Sequence, residues 1–337
     1  MTLTRFWFLI VSLLIFLLAL FLLYPRLFCR SKPPKPCTGS EPRLKLPLWD
    51  GGGIFMTRLH LGNETRAIPF EVAVDTGSNI LIISGPDCYH CDRNDGVWDM
   101  SIGSNISCGV QSTIRFVGGQ VTNYLWWRAL LLDYSPDLRS GKEVEFGVIT
   151  SSSSRDGDPL NVLGLQGLST SELFGGGPVF LDSLCGEKTV MFDFSGGHLY
   201  IGHVNDLLPP SVNPILMTIP SFGIAFTMAN ITRMSIDGQM NPPSLTPRFA
   251  IFDTGSTQTL VSPDLSTLLS GQHQVTLWFE RSSPSSNENT VSITFTSPPG
   301  SVGSSSLPIG SSLLLGNIWL RQYTLVLKYN TREILMY

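Results

Sequence analysis

Charge is scarce in this sequence. Only 14% of its 337 residues are Asp, Glu, Lys or Arg, too few for a helix-rich fold, whose solvent faces carry more Glu and Lys. Basic clusters are missing beyond the N-terminus and the formal net charge is -4, which leaves no electrostatic footprint for nucleic acid. Helical patterns are few and short. Ser169–Phe174, Pro178–Leu184 and Pro263–Leu269 are the candidates, the last with Pro at a first-turn position. What is abundant is turn-forming and apolar: 32 Gly, 23 Pro and 42% hydrophobic residues. Short strands joined by turns are therefore expected, in one large or two medium domains with full cores.

Residues 6–24, "FWFLIVSLLIFLLALFLLY", are apolar apart from Ser12 and match the roughly 20 residues that cross a bilayer. The run is too long for an ordinary signal-peptide core, and no small-x-small cleavage site follows. After a short tail (1–5), a single-pass transmembrane signal-anchor is expected, with a cleaved signal as the alternative. Arg5 precedes the span while Arg26, Arg30, Lys32 and Lys35 follow it, a bias that favours a cytoplasmic C-terminal bulk. Three glycosylation sequons, at Asn63, Asn105 and Asn230, and six cysteines point to an oxidising compartment instead. Large domains translocate largely regardless of charge, so a lumenal or extracellular bulk is expected and a cytoplasm-facing one is the rival. Residues 25–50, with six prolines, read as a stem.

"IFMTRLHLG" (54–62) and "IPFEVAVD" (68–75) alternate or run apolar, and the turn at Gly62-Asn63-Glu64 suggests a hairpin. The chain then repeats itself. "AVDTGSNILIIS" (73–84) is followed by "NVLGLQ" (161–166), and "AIFDTGSTQTLVS" (250–262) by "LLLGNI" (313–318). Each half reads as strand, Asp-Thr-Gly-Ser, strand and, later, two apolar residues before Gly, which implies two related lobes: 51–205 with Asp75 and 206–337 with Asp253.

A lone Asp-Thr-Gly is an ordinary turn. Two of them facing each other across a pseudo-twofold axis would bring Asp75 and Asp253 together, where like charges cannot both ionise and one proton is shared. One carboxylate can then activate a water while the other, protonated, donates to a substrate carbonyl. Thr76, Gly77, Ser78, Thr254, Gly255 and Ser256 would support the pair: the glycines by close backbone approach and N–H donation, the serines by bonding the outer carboxylate oxygens. The expected reaction is peptide hydrolysis that calls for neither a metal nor another cofactor.

The chain resembles the pepsin-like aspartic proteases over nearly everything after the stem. The motifs that carry the resemblance are Val74–Ser78, Phe252–Ser256, Val162-Leu163-Gly164, Leu314-Leu315-Gly316 and the closing run from Leu313 to Tyr337. It implies an all-β, bilobal pepsin-like fold behind the N-terminal helix, and an aspartic endopeptidase acting as a monomer on a protein or peptide substrate. Cys88-x-x-Cys91, Cys108 and "FGVITS" (146–151) look like the plant nepenthesin-type branch, although Val148 stands where that branch has Cys. Cys88-x-x-Cys91 alone admits a redox or zinc site; with the resemblance, structural disulfides among Cys88, Cys91 and Cys108 are expected in some pairing.

The family closes its cleft with a Tyr-bearing hairpin flap. Here "TIRFVGGQVTNYL" (113–125) puts Phe116 at that position and Val117 at a usual Gly, and Ile82 aligns with the Trp that supports the Tyr. Only residues 25–50 lie where a longer propeptide is usual. The expected substrate contacts are Phe116, Gly118 and Gly119 from the flap and Thr257 behind the second motif. A changed flap in a working enzyme is the favoured reading; a catalytically weak or inactive peptide-binding relative is the alternative.

Overall fold

The structure is a computed structural model that describes residues 13–14, 43–88, 91, 94–107, 111–116, 120–134, 141–153, 161–168, 179–184, 187–208, 214–220, 226–281, 289–305 and 312–337. Nearly all of the apolar run 6–24 and most of the stem lie outside these residues, as does the helix expected over 169–174. Among the described residues no helix is long and apolar enough to cross a membrane. The described chain is mostly β-strand, so the expected all-β class holds.

Three sheets organise it. One, of six strands, runs in the order Leu44–Pro47, His198–Ile201, Thr189–Asp193, Leu325–Lys328, Glu333–Met336, Ile215–Thr218. Its first three strands come from the first half of the chain and its last three from the second. Each half supplies a hairpin and one outer strand, and the two hairpins meet where Val190 pairs with Leu327. The alternating pattern of "LKLP" explains the first strand: Leu44 and Leu46 are buried while Lys45 and Pro47 are exposed. The end of the expected stem is therefore part of the folded body. Trp49–Asp50 extends this by pairing with Phe55–Asn63.

The other two sheets each carry one copy of the repeat. In the nine-stranded sheet, Phe55–Asn63 and Arg66–Asp75 form the expected hairpin, closed at Asn63 opposite Arg66. Val162–Gly164 slots between Arg66–Asp75, to which it is parallel, and Leu81–Ser84, to which it is antiparallel. In the eight-stranded sheet, Ser312–Leu315 slots in the same way between Phe249–Phe252, parallel, and Thr259–Val261, antiparallel. The inserted strands are continuous apolar runs because both of their faces are covered. Gly164 and Gly316 end these strands where a side chain would strike backbone: a Cβ would lie 2.4 Å from the Ile80 nitrogen in one case and 2.2 Å from the Gln258 oxygen in the other.

Two of the expected helices are present in shortened form, Phe180–Ser183 and Pro263–Leu268; a third, Asn317–Leu320, directly follows the second inserted strand. The strand containing "VSITF" spans Thr290–Ser297. Cys88 and Cys91 form a disulfide, while Cys108 lies outside the described residues.

Candidate active site

Asp75 ends the strand Arg66–Asp75 and Asp253 directly follows Phe249–Phe252, so in each sheet the carboxylate sits at the end of the strand that runs parallel to the inserted one. The two loops are locked to one another by reciprocal bonds. Thr76 Oγ1 donates to the Phe252 carbonyl (2.7 Å) and accepts from the Thr254 N–H (3.0 Å). Thr254 Oγ1 donates to the Val74 carbonyl (2.8 Å) and accepts from the Thr76 N–H (3.1 Å). Both threonines are fully buried, and four backbone groups are satisfied from the opposite half.

The lock brings the carboxylates together. A Cβ on Gly77 would lie 2.9 Å from Asp253 Oδ1 and 3.0 Å from Asp75 Oδ1, and a Cβ on Gly255 would lie 2.5 Å from Asp75 Oδ1 and 3.2 Å from Asp253 Oδ1. No side chain fits at either position. Instead the Gly77 N–H donates to Asp75 Oδ1 (2.7 Å) and the Gly255 N–H to Asp253 Oδ1 (2.9 Å). Asp75 and Asp253 are 8% and 9% exposed. Burial holds the Asp253 carboxyl well above the ordinary carboxylate range; the negative charge of Asp75 and a hydrogen bond with it push the same way, against the weaker pull of the Gly255 N–H. Two buried like charges this close favour holding one proton between the two carboxyls.

The serines differ from expectation. Ser256 Oγ donates to the Gln258 carbonyl (2.8 Å) rather than to Asp253, because its loop turns back toward the Thr259–Val261 strand. Ser78 Oγ is buried and has no hydrogen-bond partner among the described residues, although Ser78 lines the cleft. Thr257 packs beside the first-half turn. It is not among the described residues that line the cleft; its methyl packs so close to Gly53 that a Cβ there would come within 2.5 Å.

The dyad lies in a cleft of about 260 Å³, lined on one side by Ile114, Arg115 and Phe116 and on the other by Phe226, Leu260 and Leu314. The first three belong to a hairpin in which Ser112–Arg115 pairs with Val121–Leu131, closed by the Phe116 N–H donating to the Gln120 carbonyl (2.9 Å). Gly118 and Gly119 lie outside the described residues. Phe116 rests on an apolar cluster containing Ile80, Ile82, Ile114, Tyr124, Trp126 and the Cys88–Cys91 disulfide. Phe116 and Ile82, aligned with the family's Tyr and Trp, thus belong to one apolar group with no phenol or indole link between them. Trp126 Nε1 bonds Ser112 instead (3.2 Å).

Several parts of this site are not legible in the sequence. Asn317 Nδ2 donates to the carbonyls of Thr254 (2.8 Å) and Gly53 (3.1 Å), tying the second Asp-Thr-Gly loop to a turn of the first half. Tyr329 is buried, with its hydroxyl paired to Thr227 Oγ1 (3.0 Å), and burial pushes its phenol up. "LLLGNI" signalled Asn317 as part of a pattern without assigning it a bond. Nothing local signals Tyr329, Phe226 or Leu260, since each is one apolar or aromatic residue among many until the fold brings it in. No protein-family model matches the chain, and no curated protein is significantly similar to it.

Proposed function

We propose that this protein is an aspartic endopeptidase of the pepsin-like family, anchored to a membrane through residues 6–24, with its catalytic body on the lumenal or extracellular side. The observation that carries the reading is the pairing of buried Asp75 and Asp253 in two loops locked by Thr76 and Thr254. A fold that brings two carboxylates together under burial incurs a desolvation cost, and such sites are built where chemistry needs the proton to be shared.

The chemistry follows from that pair. A water between the carboxyls loses a proton to the ionised carboxylate as its oxygen attacks the substrate carbonyl carbon, and the protonated carboxyl gives its proton to the carbonyl oxygen. The resulting gem-diol collapses as a proton passes from the dyad to the amide nitrogen, the C–N bond breaks, and acid and amine products leave. No atom of the protein becomes covalently attached. The apolar walls, Ile114 and Phe116 against Phe226, Leu260 and Leu314, exclude water and suit an extended peptide with apolar side chains.

The test is cleavage of a mixed peptide library by the purified protein across acid to neutral pH, compared with Asp75→Asn and Asp253→Asn. Each single variant should lose turnover by at least about a thousandfold while keeping its fold, because each carboxyl has a step the other cannot perform. Near wild-type turnover in either variant would sink the shared-proton mechanism. Folded wild-type protein that binds peptides without cutting them would favour a peptide-binding protein using the same cleft. The disposition of the body is checked on the same cell-expressed material: an endoglycosidase should shift its mobility, and no shift would favour the cytoplasmic face.

A further inference from the structure

Arg115 is the one cation among the described residues that line the cleft, and its only charged companions there are the two aspartates. It ends the strand Ser112–Arg115, whose burial alternates. Ser112 and Ile114 point into the apolar cluster, while Thr113 and Arg115 are exposed. Arg115 sits opposite Val121 in the hairpin, immediately before the turn at Phe116. The other arginines along these strands are engaged. Arg58 pairs with Glu71 (2.5 Å), Arg66 with Asp99 (2.5 Å) and Arg128 with Glu145. No described carboxylate pairs with Arg115.

Resting on the proteolytic reading, we infer that Arg115 sets substrate choice: the cleft takes a peptide that is apolar at the scissile bond and carries one acidic side chain, Asp or Glu, at the subsite under Arg115. The electrostatics narrow the choice. The dyad with its single proton carries a net negative charge, so an acidic side chain next to the scissile bond is repelled. A carboxylate that reaches Arg115 meets a guanidinium that pairs with no described carboxylate and whose fork can bind it bidentately, beside apolar walls that reduce its screening. A basic side chain at the same subsite meets like charge. The exposed hairpin keeps the contact moderate: about two- to fivefold, the range of an exposed pair.

The experiment uses the full-length protein in detergent and a neutral, apolar peptide in which one Glu, or in parallel one Gln or Lys, is walked through every position. Two readouts are taken for each peptide, kcat/KM with the wild type and Kd with Asp75→Asn. At one position Glu should exceed Gln by about two- to fivefold, and the advantage should shrink as salt is raised. Arg115→Gln should bring that ratio close to one, and Arg115→Glu should turn it into a preference for Lys, a reversal that a merely structural role would not produce. No position where Glu exceeds Gln in either readout, or a Glu preference that survives in Arg115→Glu, overturns the assignment. Cleavage without acidic preference overturns it while leaving the hydrolytic reading standing. Acidic preference in binding without cleavage supports it while overturning hydrolysis, and neither binding nor cleavage overturns both.

Discussion

Replacing Thr254 by Val tests whether the interlocked loops hold the two halves in register. The side chains have nearly the same shape, and the site is fully buried, so the change removes a hydroxyl and little else. Two bonds go with it, from Oγ1 to the Val74 carbonyl (2.8 Å) and from the Thr76 N–H to Oγ1 (3.1 Å). Each such bond contributes about 1 kcal/mol net, and leaving a buried donor or acceptor without a partner costs about 1–3 kcal/mol, so a loss of about 2–4 kcal/mol is expected. At about 2–4 °C per kcal/mol for bodies of this size, the melting temperature should fall by roughly 5–15 °C. Thr254→Ser is the control, since it keeps the hydroxyl and loses only a methyl, for about 1 kcal/mol. Thermal melts followed by circular dichroism, with peptide cleavage measured at a temperature where both variants are folded, decide the matter. A Val variant no less stable than the Ser variant would refute the claim that these hydroxyls lock the loops.

The raised carboxyl of Asp253 predicts an unusual pH dependence. Its folded value lies above the unfolded value of 3.8, so its contribution to stability is fully present below that pH and is lost as pH rises toward the folded value. Asp253→Asn should therefore melt higher than the wild type near neutrality, with the gain shrinking as pH falls toward 4; a gain that is flat with pH would contradict burial and charge pairing as its cause. Gly255→Ala should abolish cleavage, because its Cβ would lie 2.5 Å from Asp75 Oδ1 and 2.6 Å from its Cγ, and the carboxyl must move. Turnover within a fewfold of wild type would show that the dyad has slack this packing denies.

Local chemistry fixed in the sequence determined a good deal about this protein. Turn-forming residues around alternating apolar runs specified a β-rich chain; the hairpin from Phe55 to Asp75 follows from side-chain alternation and the Asn63 turn alone. The doubled Asp-Thr-Gly-Ser marked Asp75 and Asp253, because a buried strand end is a costly place for a carboxylate without a task. Both glycines were legible too, since their role is to lack a side chain at a contact. Tertiary structure decided what depends on partners far apart in sequence. Whether Ser78 and Ser256 reach the carboxylates turns on loop paths that no tripeptide encodes, and Ser256 finds the Gln258 carbonyl instead. The stretch around Leu44–Pro47 reads as stem beside its prolines, yet it becomes a sheet strand because His198–Ile201 offers an open edge for it to pair with. Arg115 is one arginine among many in the sequence and becomes singular only when folding places it in the cleft lining, where no other described residue is cationic. Burial and charge pairing are sums over the whole fold, and for that reason the identity of the acids was written locally while their environment was not.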